Sequence, residues 1–262
     1  RDVERSRGLG DVYKRQKHNV IKYLPTNNDE NIWGMSINGI GFQSIDPKGS
    51  YPLKGHPIGY TFNPDRGRII DEFALVYIVK GEGTFASINC FEKKISKGDA
   101  FFIFPGQWHS YQPIANIGWD EYYVTFQGDY FEKLLNGIIN RANPIFHIGM
   151  NDQIVKHFGE MLDCARAQKS GFQAVLAGIT MHTIGLIYSI NKNQDCGPVS
   201  MQKIQEACVL MRENIYDKFT PEDIAESINM SYSNFRKSFK QYTGIAPHQY
   251  MLQLKLLSLI HI

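Results

Sequence analysis

The chain has 262 residues, enough for two modest domains with separate cores, and its 43% hydrophobic content is that of an ordinary globular protein. A formal net charge of +2 excludes a chain that is basic throughout, so a nucleic-acid surface would have to be confined to one module. Four cysteines, Cys90, Cys164, Cys196 and Cys208, are widely spaced without a C-x-x-C, and no secretory apolar region is recognisable, so reduced thiols in a cytoplasmic protein are expected. The most apolar stretch, Ala174 to Ile190, is interrupted by Gly178, Thr180, His182 and Gly185, and no membrane span is expected from it.

In chain order, residues 1–16 (RDVERSRGLGDVYKRQ) have neither helical nor strand periodicity. They resemble translated sequencing-adaptor read-through, as does LSLIHI at residues 257–262. Both ends are therefore expected to be non-native tails, with the native frame covering residues 17–256 and cut on its C-terminal side.

Residues 17–128 carry short β-branched and aromatic runs broken by turn residues, the texture of a sandwich or barrel. A hairpin is expected from Phe73–Val79 and Thr84–Phe91, with Lys80-Gly81-Glu82-Gly83 as its turn. Gly98-Asp99, a buried-looking run Ala100–Phe104 and Pro105-Gly106 follow. Farther on, the two-residue strand period puts Glu121, Tyr123 and Thr125 on one face and Tyr122, Val124 and Phe126 on the other, one of which must look inward. Gly98–Tyr111, GDAFFIFPGQWHSY, resembles the second motif of the cupin superfamily, with His109 in the histidine position. Cupin enzymes complete a metal site there with an H-x-H from the preceding hairpin, but FALVYIVKGEGTF contains no histidine. A metal-dependent cupin enzyme is thereby disfavoured, and no catalytic residue, metal or cofactor is assigned. What remains is a barrel cavity for a small molecule, with His56, Tyr60, Arg66, Arg68, Trp108, His109, Tyr111, Glu121 and Tyr123 as candidate lining.

Residues 129–198 change texture. Ile154, Phe158, Met161, Leu162 and Ala165 recur at helical spacing, as do Phe172, Val175, Leu176, Ile179, Leu186 and Ile190, predicting an amphipathic helical linker that docks on the barrel or forms a dimer seam. Asn191–Pro198 reads as an interdomain linker.

Residues 199–256 are denser in signals. A first helix carries Ile204, Ala207, Cys208, Met211 and Ile215 on one stripe. Thr220-Pro221-Glu222-Asp223 supplies an N-cap hydroxyl, a first-turn proline and two acids at the positive helix end. Asn229-Met230 is a short turn, and Ser231 is expected to cap a helix ending at Thr243-Gly244. Two short helices joined this tightly make a helix-turn-helix. Phe235 and Phe239 face the core, leaving Ser233, Asn234, Arg236, Lys237 and Lys240 on a surface with no acidic residue after Glu226. Those side chains can read base edges and meet phosphates in double-stranded DNA.

Ile224–Met251, IAESINMSYSNFRKSFKQYTGIAPHQYM, resembles the first helix-turn-helix of the AraC family, through Ala225, Met230-Ser231, Phe239-Lys240, Thr243-Gly244, Pro247 and Tyr250. YPLKGHP, LVYIVKGEG and FPGQWHSY resemble that family's cupin-type effector domain. The resemblance implies an α+β fold of two domains: an N-terminal cupin-like β-barrel with a helical linker, then an incomplete all-α helix-turn-helix domain. It implies a ligand-responsive transcription regulator, not an enzyme, whose effector is a small molecule such as a carbohydrate. It assigns base contacts to Ser233, Arg236 and Lys237, a phosphate contact to Lys240, and ligand contacts to Arg66, Tyr111, Glu121 and Tyr123, with Trp108 and His109 beside the cavity. A homodimer, and RNA polymerase if the protein is an activator, are the expected partners. A cupin-type metal-dependent enzyme, or a sugar-binding module without DNA function, is the alternative. Family members carry two helix-turn-helix units, whereas here the connecting helix from Pro247 runs into LSLIHI, so this chain is expected to bind DNA weakly and almost without sequence preference.

Overall fold

Between Val20 and His147, alternation of large apolar residues with small or polar ones gives strands. They are β1 (Val20–Tyr23), β2 (Ser36–Ile45), β3 (Phe73–Ser87), β4 (Cys90–Ser96), β5 (Asp99–Ile103), β6 (His109–Pro113), β7 (Trp119–Gln127) and β8 (Ile145–His147). The computed structural model describes residues 19–26, 33–53, 63–128, 139–194, 198–215 and 219–260, so the proposed tail at 1–16 and the candidates His56 and Tyr60 lie outside the described residues. Two units divide the chain, Arg1–Tyr188 and Ser189–Ile262.

All strand pairs in the first unit are antiparallel. The order is β1-β2-β7-β3-β5-β8, with β4 and β6 added to the far half of β3. The expected hairpin over Phe73–Phe91 is corrected here. β3 runs unbroken through Lys80–Gly83, and the chain reverses instead at Ile88-Asn89, where Ser87 pairs with Cys90. The two glycines answer a different need, close approach. A Cβ on Gly81 would sit 2.0 Å from the Gly118 carbonyl oxygen, and one on Gly83 would sit 2.3 Å from the Trp119 ring. At Gly81 φ is also +82°, which any other residue adopts only with strain. β3 thus bends without ending. Its first half pairs with β7 and β5, and its second with β4 and β6.

Register settles which face of β7 looks inward. Glu121, Tyr123 and Thr125 stand opposite Gln43, Gly41 and Gly39 of β2 and Ile78, Val76 and Ala74 of β3. This is the face of the inner cluster containing Val76, Ile78, Phe85, Phe101, Tyr111 and Trp119. The opposite face, carrying Tyr122, is covered by the first of two helices, α1 (Asp152–Ala167) and α2 (Phe172–Gln194). Phe158 of α1 stacks on Tyr122 at 5.1 Å and on Tyr77 at 6.5 Å between centroids.

By length and composition α2 could cross a membrane. In the fold it docks through polar side chains: Gln173 accepts from Ile37 N at 2.9 Å and donates to the Ile37 carbonyl at 3.0 Å, and Thr180 and Thr183 are buried. Val175, expected on its inner stripe, is instead exposed, and Gln173 and Thr180 take inner positions. The stretch read as a helical linker also contains a strand, β8, paired with β5.

The second unit holds α3 (Pro198–Glu213), α4 (Pro221–Ser227), α5 (Tyr232–Thr243) and α6 (Pro247–Ile260). Asn191–Gln194, expected in a linker, finish α2, and Pro198 opens α3. A core of Ile204, Ala207, Met211, Ile224, Ala225, Ile228, Phe235, Phe239 and Met251 joins the four helices, while Ile215 falls in the turn after α3. Leu257–Ile260, read as the start of a foreign tail, continue α6.

Candidate ligand pocket and nucleic-acid interface

Inside the barrel, Tyr23, Gln43, Arg68, Ala74, Val76, Tyr111, Tyr123 and Thr125 line a cavity of about 30 Å³. Its position follows from small residues. Gly41 lies opposite Tyr123, and a Cβ there would come within 2.5 Å of the Tyr123 ring, so glycine is what lets that ring lie across β2.

Arg68 is the cation of the site. Its Nε donates to His109 Nε2 at 3.3 Å, and its guanidinium donates to the Tyr111 hydroxyl at 3.3 Å. Because His109 Nε2 accepts, Nδ1 carries the proton and donates to the Gln107 carbonyl at 3.1 Å. Burial holds the His109 pKa down to about 4, and the Arg68 charge acts in the same direction. The ring is therefore neutral at physiological pH and serves to hold Arg68. Glu121 is fully buried, and burial pushes its pKa up to about 8 even though Arg68 pulls the other way. Among the described residues its Oε2 has no hydrogen-bond partner, nor has Thr125 Oγ1 on the same inward face, while the Tyr123 hydroxyl between them is held by Gln43. Each unpartnered buried group costs about 1–3 kcal/mol, and two on one face make a site that gains from water or a hydroxylated ligand. Burial likewise raises the pKa of Tyr23 and Tyr111 to about 12, keeping both phenols as donors.

The candidates read from the sequence separate cleanly. Tyr111 and Tyr123 line the cavity, and Glu121 and His109 stand against its contacts. Arg66 does not: it is exposed in the Asn63–Gly67 turn, and its carbonyl accepts from Trp108 Nε1 at 2.8 Å, which places both at the rim. Arg68, two residues on, is the arginine that reaches inside. Tyr23 and Gln43 were missed. Gln43 could have been found by continuing the two-residue period from Gly39 and Gly41, since a polar side chain on a glycine-lined inner face has little reason to be there except contact. Among the described residues no three His, Cys, Asp or Glu side chains converge as metal ligands.

In the second unit the elements build an outward-facing helix. Thr220 Oγ1 accepts from Asp223 N at 3.2 Å while Asp223 Oδ2 accepts from Thr220 N at 2.8 Å, a reciprocal cap at the start of α4. The turn is closed by Met230 N donating to the Ala225 carbonyl, with Asn229 at φ +52°. Ser231 has N-cap backbone geometry, but its side chain makes no capping bond, so that expectation is corrected: the turn rather than the hydroxyl starts α5. Gly244, at φ +85°, ends it. Phe235 and Phe239 are buried, whereas Ser233, Asn234, Arg236, Lys237 and Lys240 are all exposed and make no side-chain bond among the described residues. A docked aromatic face thus carries an open cationic one.

A barrel with a small polar-lined cavity and a helix-turn-helix in one chain define a two-domain protein of the sensor-plus-DNA-binding-module class. The chain belongs to the AraC family: the AraC-like ligand binding domain matches residues 48–182, and the bacterial regulatory helix-turn-helix of the AraC family matches residues 211–252. The MmsAB operon regulatory protein of Pseudomonas aeruginosa is 22% identical over 189 residues, 71% of this chain and 61% of its own length. The lactose operon transcription activator of Staphylococcus xylosus is 23% identical over 76% of this chain and 71% of its own. The raffinose operon transcriptional regulatory protein of Pediococcus pentosaceus is 23% identical over 75% and 72%. Among solved structures, ToxT of Vibrio cholerae aligns over 90% of this chain and 97% of its own at a TM-score of 0.33 and 10% identity. At that score the fold assignment rests on the strand topology and the two family matches.

Proposed function

We propose that the chain is part of a ligand-responsive transcription regulator that binds a small effector in the barrel and promoter DNA through α5. The observation that carries this reading is the exposed Ser233, Asn234, Arg236, Lys237 and Lys240 face on a helix fixed from behind by Phe235 and Phe239. Arg236 and Lys237, with Ser233 and Asn234, take base edges in the major groove, and Lys240 takes a phosphate. The protein works in the cytoplasm as a homodimer, and as an activator it would also touch RNA polymerase.

Mobility shift across a salt series tests the interface. Lys240→Ala should weaken binding to all duplexes alike and reduce the slope of log K against log salt by about 1. Binding by Lys240→Ala and Arg236→Ala that matches the parent at every salt concentration would overturn the assignment of α5.

For the effector, the unpartnered Glu121 and Thr125 oxygens and an arginine favour a polyhydroxylated small molecule such as a monosaccharide, in keeping with the sugar operons named for two of the relatives. The ligand contacts are Tyr111, Tyr123, Glu121 and Arg68, with Arg66, Trp108 and His109 at the rim or behind. A cavity of about 30 Å³ holds roughly two waters, so a sugar enters only when the lining opens. A melting-temperature screen of monosaccharides tests the class. A true effector at about 100 Kd stabilises by about 2.7 kcal/mol, and its effect should fall in Tyr123→Phe.

A further inference from the structure

The α1–α2 pair carries a cluster that neither the cavity nor the helix-turn-helix uses. His157 of α1 is buried, with Nδ1 3.1 Å from Thr183 Oγ1 of α2. The Thr183 hydroxyl donates its own proton to the Ile179 carbonyl at 2.8 Å, so toward His157 it can only accept. Nδ1 is therefore the protonated nitrogen of His157, and the lone pair is on Nε2. Burial lowers the His157 pKa, as do the neighbouring His182 and Lys156, against an opposing pull from Glu160. Nε2 has no hydrogen bond among the described residues. His182, exposed on α2, brings a second ring to 4.5 Å between centroids with a 47° tilt.

We propose that His157 and His182 form a two-imidazole clamp for a first-row divalent metal ion, joining α1 to α2. Two features converge on this. Metal–nitrogen bonds of about 2.0–2.1 Å put two imidazole centroids on neighbouring positions of one ion roughly 4.5–5.3 Å apart, and the present 4.5 Å separation lies at the near end of that range. A histidine whose other N–H is donated to an oxygen is already in the tautomer and orientation a metal requires, and Thr183 supplies that oxygen. No third His, Cys, Asp or Glu is in place among the described residues, so water completes the coordination shell and the site is exchangeable. Imidazole pairs of this kind favour copper, zinc and nickel over magnesium or calcium.

Calorimetric titration of Zn²⁺ and Ni²⁺ into the purified chain near neutral pH tests the clamp. The parent should take up one equivalent that His182→Gln lacks, and since His182 is exposed that variant should keep the parent's fold by circular dichroism. Thr183→Val should keep the equivalent but bind it about 10-fold or more weakly, which simple packing of two rings would not produce. Broadening of the His157 and His182 ring resonances first on adding Ni²⁺ would support the site. Equal uptake and affinity in His182→Gln, or broadening confined to other histidines, would overturn it.

Discussion

Glu121 is a carboxyl that burial moves out of its ordinary titration range. Its folded pKa of about 8 lies above the unfolded carboxyl value, so between about pH 4.5 and 8 the folded chain holds a proton that the unfolded chain has lost. Folding stability contributed by this group therefore falls as pH rises through that window. Glu121→Gln should match the parent near pH 5 and exceed it in melting temperature near pH 8, and a parallel pH profile for the two proteins would show that the carboxyl is ionised in the fold. Gly41 makes the complementary case. Gly41→Ala places a methyl where the Tyr123 ring now lies, and overpacking of this kind typically costs about 1–3 kcal/mol, readable as a lowered urea midpoint. Legibility at this scale depended on whether a regular period ran through the residue. Tyr123 and Thr125 could be assigned together because a strand alternates, whereas Arg66 and Arg68 stand in an irregular turn where no period says which one points inward.

At the level of elements, the helix-turn-helix was readable because its signals are local: a capping box needs only Thr220 and Asp223, and a buried helix face needs only Phe235 and Phe239. Thr220→Ala should cost about 1 kcal/mol, seen as earlier thermal unfolding of the second unit, without changing the Arg236 and Lys237 face. The β3 hairpin was misread for the opposite reason. Glycines at Gly81 and Gly83 satisfy the grammar of a turn, but the contacts that explain them, Gly118, Gln112 and Trp119, come some thirty residues later and cannot be seen from the pair alone. Polar docking residues on α2 were missed likewise, since a hydrophobic stripe gives no warning that Gln173 will grip the backbone of Ile37.

Over the whole molecule, two modules with different grammars were evident from the change of texture after Phe126, but the division itself falls at Tyr188–Ser189, inside α2, rather than at the Gly-Pro punctuation. A loop-like composition marks where a chain can bend; it does not mark where packing changes allegiance. The order of strands in the sheet has a further consequence in time. β2 is paired along its whole length with β7, and even their nearest partners, Ile45 and Trp119, are 74 residues apart (119 − 45). At about 5–20 residues per second of synthesis, β2 waits roughly 4–15 s for that edge to be covered. Meanwhile it has only β1 beside it, and an isolated two-stranded ribbon is marginal in water. Nascent chains arrested before Trp119 leaves the ribosome should be cut readily by protease and held by chaperones, whereas chains arrested after β7 has emerged should resist. The second partner of β2 is thus acquired late in translation, and arrest-site profiling should register a gain of protection once β7 has emerged.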